Sequence, residues 1–494
     1  MRKSSISIIL LGLLCILSFI LRFYLLPTHL FFGPEQGRDL LVVRDIVVNH
    51  KLTLIGAKTD ISGIFHGPLY YYLAAIPFML SHGNPLFISI FLVLFQVASI
   101  PFIYLLAFEL TGNRRVAFLS ALLMTISFQA IVYARWLSNP PLSIPFVILL
   151  FFFLVRYLRG DAKSLIWAGV AYGCLGQVEF INYALFGVLL TVVALRNIAA
   201  LKNTPKQILI LATFAAFLVS LGTYLLFDIR HGFLVSRSII HLVFGSGVHA
   251  NFVGVLQNIF SVFLTEGAAV FGFSAYYWGI MGLCIIIYGW LDRTVKTKYD
   301  DMVILWLGIP IITLICLRHA ILIQILVALL PAWIVGISIG IERVWRKSAV
   351  IGIILLASIV VVSLESYISN IPYNERVFFQ SSQTRLRYTD ELAVAREVYE
   401  HADGRPFYFQ AFTIPVFWQD GWTYLFWYIG TTKYHYLPVE ANKADIYVII
   451  PNIYFDPYLE LFEKNWYRDT VSTWGTKTFS KKIGEFQVEE RQKI

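Results

Sequence analysis

Charged residues are scarce in this chain of 494 residues: they make up 14% of it, whereas soluble domains carry about 25%. Hydrophobic residues make up 58%, and the mean hydropathy is +0.70. The shortage of charge excludes an ordinary soluble domain. It indicates that most of the chain has lipid as its solvent, so apolar spans of about 20 residues are expected.

Several kinds of site are missing as well. The four cysteines all lie in apolar runs, which argues against a disulfide framework or a cysteine metal site. The sequence has no His-x-x-x-His pair, no P-loop and no Gly-x-Gly-x-x-Gly turn, so it predicts no metal centre and no nucleotide site of these types. The net charge of +9 does not indicate nucleic-acid binding, because the basic residues cluster in loops on one side of the predicted membrane region.

Eleven apolar segments predict membrane spans. They cover residues 5–26, 86–110, 115–133, 140–158, 164–180, 182–197, 207–227, 274–291, 302–317, 319–340 and 348–368. With the N-terminus in the cytoplasm, every inside loop is basic, which is the positive-inside pattern. These loops hold Arg2 and Lys3; Arg114 and Arg115; Arg156, Arg159 and Lys163; Arg196, Lys202 and Lys206; Arg293, Lys296 and Lys298; and Arg343, Arg346 and Lys347. The sequence thus predicts an α-helical polytopic membrane protein with its C-terminus outside.

This topology places three polar pieces on the external face: residues 27–85, 228–273 and 369–494. Residues 1–368 form the predicted membrane domain, and within 228–273 the stretch 241–270 is expected to lie on the surface as an amphipathic helix. Residues 369–494 are long enough to fold alone as an extracytoplasmic α/β module. Its predicted elements are a helix over Arg385–His401 and strands over Pro406–Phe412, Ile446–Pro451 and Gly484–Val488.

The first external loop (residues 27–85) contains the segment Phe32-Gly-Pro-Glu-Gln-Gly-Arg-Asp39. Residues 34–49 are predicted to be a helix, because Pro34 suits the first helical position. Glu35 and Asp39 then share one face, one turn apart, and Arg38 lies beside both. A purely structural interpretation is also open: acids in a first turn suit the helix dipole, and Arg38 could be a plain ion-pair partner.

Other polar residues lie close to the predicted membrane boundary. His66 and Tyr70 belong to the segment His66-Gly-Pro-Leu-Tyr-Tyr-Tyr-Leu73, whose tyrosines also suit an interfacial aromatic belt. Glu179 lies near the outer end of a span, and ionisable residues at that depth are candidates for function. A carboxylate and a cation at headgroup depth suit sugar transfer from a lipid phosphate. The reaction needs a base for the acceptor proton and cations for the departing phosphate.

These segments resemble the GT-C glycosyltransferases, whose members carry an acidic residue after the first span and a His-(Gly/Pro)-Pro-Leu-Tyr-Tyr-Tyr-Leu segment before a membrane helix. The most similar branch contains the protein O-mannosyltransferases, the aminoarabinose transferases of lipid A and the galacturonosyltransferases of lipopolysaccharide. Tyr133-Ala-Arg-Trp-Leu-Ser-Asn-Pro-Pro141 also resembles that branch. By motif the resemblance covers roughly residues 1–230, and beyond them it rests on topology alone.

The resemblance implies a GT-C fold and an inverting transfer from a polyprenyl-phosphate sugar, with the catalytic acid in the first external loop. Glu35 takes the position where many members have Asp, so Asp39 is a competing base. Arg38, Arg135 and His66 are expected to hold the phosphate or the sugar, or else to be interfacial charges reaching the headgroups. Asn139 lies in the matching stretch, or else caps the fourth span. Because some members use a divalent cation, the sequence leaves that cofactor open.

The expected partners are the bilayer, the polyprenyl-phosphate sugar and a lipid, protein or glycan acceptor. The expected location is the plasma membrane, with several spans and an extracytoplasmic active site. Two other functions are compatible with the sequence: a transporter or flippase of lipid-linked glycans, and a non-catalytic glycan-assembly protein. A transporter should carry ionisable residues at mid-membrane in facing spans, whereas here the acids gather at the outer boundary.

Overall fold

The structure, a computed structural model, describes residues 2–244, 252–273, 275–292, 299, 301–318, 321–373, 386–413, 417–440, 444–452 and 457–492. Long helices dominate this part of the chain up to residue 373. The helices there are α1 (Arg2–Phe23), α2 (Leu26–His29), α3 (Pro34–Val47), α4 (Leu69–Ser81), α5 (Pro85–Val97), α6 (Ser99–Thr111), α7 (Arg114–Ile126), α8 (Phe128–Arg135), α9 (Ser143–Leu158), α10 (Ser164–Val178), α11 (Asn182–Arg196), α12 (Ile198–Lys202), α13 (Lys206–Arg230), α14 (Leu234–Phe244), α15 (Phe252–Ala269), α16 (Tyr277–Leu291), α17 (Asp301–Leu317), α18 (Leu330–Lys347) and α19 (Ala349–Asn370).

Seven stretches of helix in the described residues are long and apolar enough to cross a membrane. They are Ile8–His29, Pro85–Thr111, Pro140–Leu158, Lys206–Arg230, Phe252–Ala269, Gln324–Lys347 and Ala349–Asn370. The bent pair α7 and α8 adds an eighth, and α10, α11, α16 and α17 are shorter apolar helices at four further predicted spans. The expected polytopic helical architecture is therefore confirmed, while the count of eleven and the orientation stay predictions.

Phe252–Ala269, which the sequence predicts to lie on the membrane surface, has the length and hydropathy of a span. Counting this helix as a span would change the predicted number of membrane crossings. The loop that holds Arg293, Lys296 and Lys298 lies outside the described residues.

The predicted span 115–133 is not a straight helix, because it breaks at Ser127 and α8 leaves α7 at 55°. Ser127 has non-helical backbone angles (φ −53°, ψ 118°). Its hydroxyl donates to the carbonyl oxygen of Val270 at 2.5 Å and accepts from the amide of Ala130 at 3.2 Å. The hydroxyl therefore caps α8 in the manner of other helix-starting serines. The bend carries residues 136–140 towards the first loop.

The C-terminal module combines three helices with a four-stranded sheet. The helices are α20 (Tyr388–Ala402), α21 (Asp420–Ile429) and α22 (Pro457–Asp469), and the strands are β1 (Phe407–Ala411), β2 (Asp445–Pro451), β3 (Thr476–Ile483) and β4 (Phe486–Gln492). The strand order is β1-β2-β4-β3, with β1 parallel to β2 and the other pairs antiparallel. The predicted helix and three predicted strands are confirmed as elements, with shifted ends.

The module packs directly on the first loop through α21 and α3. A Cβ atom on Gly37 would lie 2.3 Å from the carbonyl oxygen of Asp420, so the two helices touch backbone to backbone. The buried hydroxyl of Tyr424 donates to the carbonyl oxygen of Gly83 at 2.6 Å. The helix that carries Glu35 is therefore held by the membrane domain on one side and by the module on the other.

Candidate functional site

The first turn of α3 presents Glu35 to solvent. Pro34 occupies the first turn of the helix, and the Gln36 side chain accepts a hydrogen bond from the amide of Gly33 at 3.0 Å, which closes the helix start. Pro34 and Gln36 are buried, whereas Glu35 is exposed. No hydrogen bond or ion pair to Glu35 is formed within the described residues. Its carboxylate is thus available to a bound molecule.

Glu35 lines a cavity of about 240 Å³, here called the polar cavity. Four other predicted site residues line it as well: Arg38, His66, Asn139 and Glu179. They come from α3, from the loop before α4, from the segment after α8 and from the end of α10. Five of the eight predicted residues, spread over 145 positions of sequence, therefore meet at one place.

Asp39 lies on the same helix but is not among the residues that line the polar cavity. It is 1% exposed, and its Oδ1 atom accepts hydrogen bonds from Arg38 Nε at 2.9 Å and from the Tyr71 hydroxyl at 3.1 Å. Burial raises the pKa of the Asp39 carboxyl to about 6, although the Arg38 charge opposes this rise. Asp39 therefore holds Arg38 in place while Glu35 faces the cavity.

His66 is fixed by its backbone and by its ring. Its amide donates to the carbonyl oxygen of Ala57, and its own carbonyl oxygen accepts from the amide of Gly56. The amide of Phe180 donates to Nδ1 at 3.4 Å, which places the ring proton on Nε2. Burial, with a smaller contribution from the Arg38 charge, lowers the pKa of His66 to about 4. The ring is therefore neutral at pH 7, and its 3.5 Å contact with Glu179 Oε1 is not an ion pair at that pH.

Asn139 joins the segment after α8 to the end of α10. Its Nδ2 atom donates to the carbonyl oxygen of Val178 at 2.6 Å, and the side chain makes no cap hydrogen bond to the turn at Pro140–Leu142 that follows it. The alternative that Asn139 caps the fourth span is therefore wrong. Its amide instead fixes the approach of the two segments that border the polar cavity.

Arg135 and Tyr70 are not among the residues that line the polar cavity. Arg135 is 2% exposed, and its Nη1 atom donates to the carbonyl oxygens of Arg22 and Tyr24 at 3.0 and 2.6 Å. This contact ties the end of α8 to the end of α1. The buried Tyr70 hydroxyl has no hydrogen-bond partner among the described residues. Both side chains are buried outside this lining, and their binding role stays a prediction.

Sequence reasoning missed seven polar or aromatic residues of the cavity: Lys58, Thr59, Asp60, Trp136, Ser138, Phe180 and Gln324. Lys58 and Asp60 are exposed and lie in a tight loop whose Thr59 amide donates to the carbonyl oxygen of Ile64 at 3.1 Å. The charges of Lys58 and Asp60 in the first loop could have marked these two residues as site candidates. No sequence feature marks Gln324, because only the fold brings it to this site.

The arrangement offers three carboxyl groups (Glu35, Asp60 and Glu179), two cations (Arg38 and Lys58) and a neutral imidazole around one cavity. Beside it, Trp418 of the module lies over the Arg38 guanidinium, with 5.8 Å from the ring centroid to Cζ. Such a geometry is a cation–π contact. Within the described ranges no group of three His, Cys, Asp or Glu side chains has a metal-binding arrangement. The site is thus suited to the removal of a proton by a carboxylate base from a substrate bound beside a negatively charged group.

Comparisons with known proteins give two kinds of match. The sequence profile of the family described as dolichyl-phosphate-mannose-protein mannosyltransferase matches residues 65–223. No curated protein sequence matches the chain significantly. Among solved structures, ArnT from Cupriavidus metallidurans bound to undecaprenyl phosphate is similar, with 12% identity and a TM-score of 0.64, covering 99% of this chain and 98% of that chain.

A second similar structure is the archaeal oligosaccharyltransferase AglB from Archaeoglobus fulgidus, in complex with an inhibitory peptide and a dolichol-phosphate. It is 13% identical with a TM-score of 0.54, and the alignment covers 98% of this chain and 74% of that chain. At these identities the likeness is one of fold. It extends over the membrane helices and the C-terminal module together.

Proposed function

Since the chain has the GT-C fold, we propose that it is a glycosyltransferase that moves a sugar from a polyprenyl-phosphate donor to an acceptor on the extracytoplasmic face. The observation that carries the proposal is the exposed carboxylate of Glu35 in a cavity shared with Arg38 and His66. The undecaprenyl phosphate and dolichol-phosphate of the two similar structures support a lipid-phosphate donor.

In the proposed reaction an acceptor oxygen or nitrogen attacks the anomeric carbon of the sugar. The bond from that carbon to the phosphate oxygen breaks, polyprenyl phosphate departs with the bonding electrons, and the anomeric configuration inverts. Glu35 takes the proton that the acceptor loses. Arg38 and Lys58 stabilise the negative charge that grows on the departing phosphate, as charge-assisted hydrogen bonds do.

The two acids have different roles in this proposal. A base must reach the acceptor, and the Glu35 carboxylate is exposed to the cavity and unengaged within the described residues. Asp39 is buried and bonded to Arg38 and Tyr71, so it serves as a positioning residue for Arg38. The neutral His66 ring offers Nε2–H to a sugar hydroxyl or to the phosphate.

The test is sugar transfer by purified protein in lipid vesicles. Radiolabelled polyprenyl-phosphate hexoses and pentoses are the donors, and a membrane extract supplies the acceptor. Glu35→Gln keeps the side-chain size but removes the base, so we expect transfer to fall about 10²–10⁴-fold. The matched control is Glu365→Gln, the same change at an exposed acid of α19, which should leave transfer unchanged.

Three outcomes would contradict parts of the proposal. Normal transfer by Glu35→Gln would exclude Glu35 as the base. A larger loss in Asp39→Asn than in Glu35→Gln would reverse the roles of the two acids. Movement of a lipid-linked glycan across the vesicle membrane, without consumption of any donor, would favour the transporter instead.

A further inference from the structure

A second cavity, here called the basic cavity, lies at the other end of α7 from the polar cavity. It has a volume of about 560 Å³, is partly open, and is lined by residues of α1, α6, α7, α18 and α19. Leu10, Phe118, Leu122 and Leu356 form apolar walls. The 13 residues of α7 alone separate its mouth from the bend at Ser127 by about 20 Å. In the predicted topology, Arg114 and Arg115 of the basic cavity lie on the cytoplasmic side and Glu35 of the polar cavity lies on the external side.

The mouth of the basic cavity carries two arginines, Arg114 and Arg115. Both are exposed, and neither forms an ion pair within the described residues. The position of Arg115 is fixed, because the Asn113 side chain caps α7 by accepting from the Arg115 amide at 2.9 Å. The helix start adds its own partial positive charge at the same place.

One acid also lines the basic cavity, and its charge is already compensated. Glu342 is buried and accepts a hydrogen bond from Arg346 Nε at 2.5 Å, one turn further along α18. Trp345 forms the neighbouring wall, and a Cβ atom on Gly352 would lie 2.7 Å from its Cβ, so α18 and α19 touch there. The cavity thus joins a cationic rim to a hydrocarbon-lined interior.

We propose that the basic cavity binds an anionic diacyl phospholipid from the leaflet opposite the candidate site. The phosphate lies between Arg114 and Arg115, and an acyl chain runs along the leucine and phenylalanine walls. Basic pockets between membrane helices bind anionic headgroups because each cation near the surface contributes favourably and the chains stay in an apolar environment. This proposal does not depend on the proposed function, since neither arginine lines the polar cavity.

The experiment is native mass spectrometry of the full chain in a neutral detergent, titrated with phosphatidylglycerol or phosphatidylcholine of identical acyl chains. We expect tighter binding of phosphatidylglycerol to the wild type. The double variant Arg114→Gln/Arg115→Gln should weaken that binding at least about tenfold, as expected for the loss of two cations. The matched control is Lys202→Gln/Lys206→Gln, which removes two exposed charges from the same predicted side, away from the cavity.

A second variant tests the cavity itself without any change of charge. Leu122→Trp fills the interior and should also reduce phosphatidylglycerol binding, while the Lys202→Gln/Lys206→Gln control retains it. Equal binding of the two lipids by the wild type, or unchanged phosphatidylglycerol binding by the arginine variant, would overturn the proposal. Undecaprenyl phosphate is titrated in parallel. If only this lipid lost affinity in the arginine variant, the ligand would be an isoprenoid phosphate and the phospholipid assignment would be wrong.

Discussion

Arg38 connects the two acids of the first loop and gives each a different environment. It bonds Asp39 directly, with 2.8 Å between its Nη2 atom and Oδ1, and its guanidinium lies under Trp418 of the module. Glu35, beside it, forms no hydrogen bond or ion pair with any residue that the structure describes. One cation therefore satisfies a buried carboxylate and still faces the cavity where a phosphate would bind.

The contact between Trp418 and Arg38 leads to a prediction about donor affinity. Trp418→Ala removes the aromatic face that orients the guanidinium, a contact that contributes about 0.5–1 kcal/mol at exposed sites. We expect the KM for the lipid-phosphate donor to rise about two- to fivefold while kcat stays near wild type. Steady-state kinetics in vesicles measure both constants. A fall in kcat with unchanged KM would show that Trp418 acts on the chemical step.

Asp39 and His66 predict opposite effects of pH on stability. The pKa of Asp39 is about 6 in the folded protein against a usual 3.8, so the folded state binds more protons between these values and stability falls as pH rises. The pKa of His66 is about 4 against a usual 6.5, so stability rises with pH over that window. Each effect is at most roughly 3 kcal/mol, and the two largely cancel.

Single variants should separate these two effects. Going from pH 4.5 to pH 7, the thermal unfolding midpoint of Asp39→Asn should rise relative to wild type, because only the His66 contribution remains. The midpoint of His66→Gln should fall over the same range. Thermal unfolding in detergent micelles measures both. Identical pH profiles for the two variants would contradict the burial of one of these groups.

Local signals predicted the residues of α3, and tertiary contacts decided the rest of the site. Gly33 and Pro34 mark the helix start in the sequence itself, so the positions of Glu35 and Asp39 on one face could be predicted. Their different burial could not, because it depends on Tyr71 and on the module. Gln324 lines the same cavity although it lies more than 280 positions after Glu35 in the sequence, and no local pattern predicts such a contact.

The same contrast holds among the elements of the module. β2 is buried and apolar, and the sequence predicted it, whereas β3 was missed. β3 is an edge strand that is largely exposed and carries Lys477, Lys481 and Lys482, so it lacks an apolar alternation. Lysines on an edge strand discourage pairing with other chains, which explains the pattern. α21 (Asp420–Ile429) was not predicted either, since the predicted elements of the module leave out this stretch.

The contact between α3 and α21 predicts that a methyl group at Gly37 is harmful. It would lie 2.3 Å from the Asp420 carbonyl oxygen, so the backbones must separate, at a cost of about 1–3 kcal/mol. We expect Gly37→Ala to lower the unfolding midpoint by several degrees and to reduce transfer. The control is Gly308→Ala in α17, where a Cβ meets nothing within 4 Å and alanine improves the helix by about 1 kcal/mol. Equal midpoints for the two variants would contradict the close contact.

For the whole molecule, the predicted topology places the module and the end of α12 on opposite sides of the membrane. We expect Lys433→Cys to react with an impermeant maleimide in right-side-out vesicles and Lys202→Cys only in inside-out vesicles, since both positions are exposed. The parent protein, with its native cysteines, provides the background. Labelling of both positions from one side would show that the count of eleven spans is wrong.

The backbone contact between α3 and α21 also limits how such proteins can be recombined. Gly37 packs against the backbone of Asp420, and a Cβ atom on Gly421 would lie 3.1 Å from the backbone of Gly33, so glycine fits best at both positions. A chimera that exchanges only residues after 373 would pair a foreign α21 with this α3. Any exchange of the module must therefore carry the first turn of α3 with the C-terminal part as one cassette.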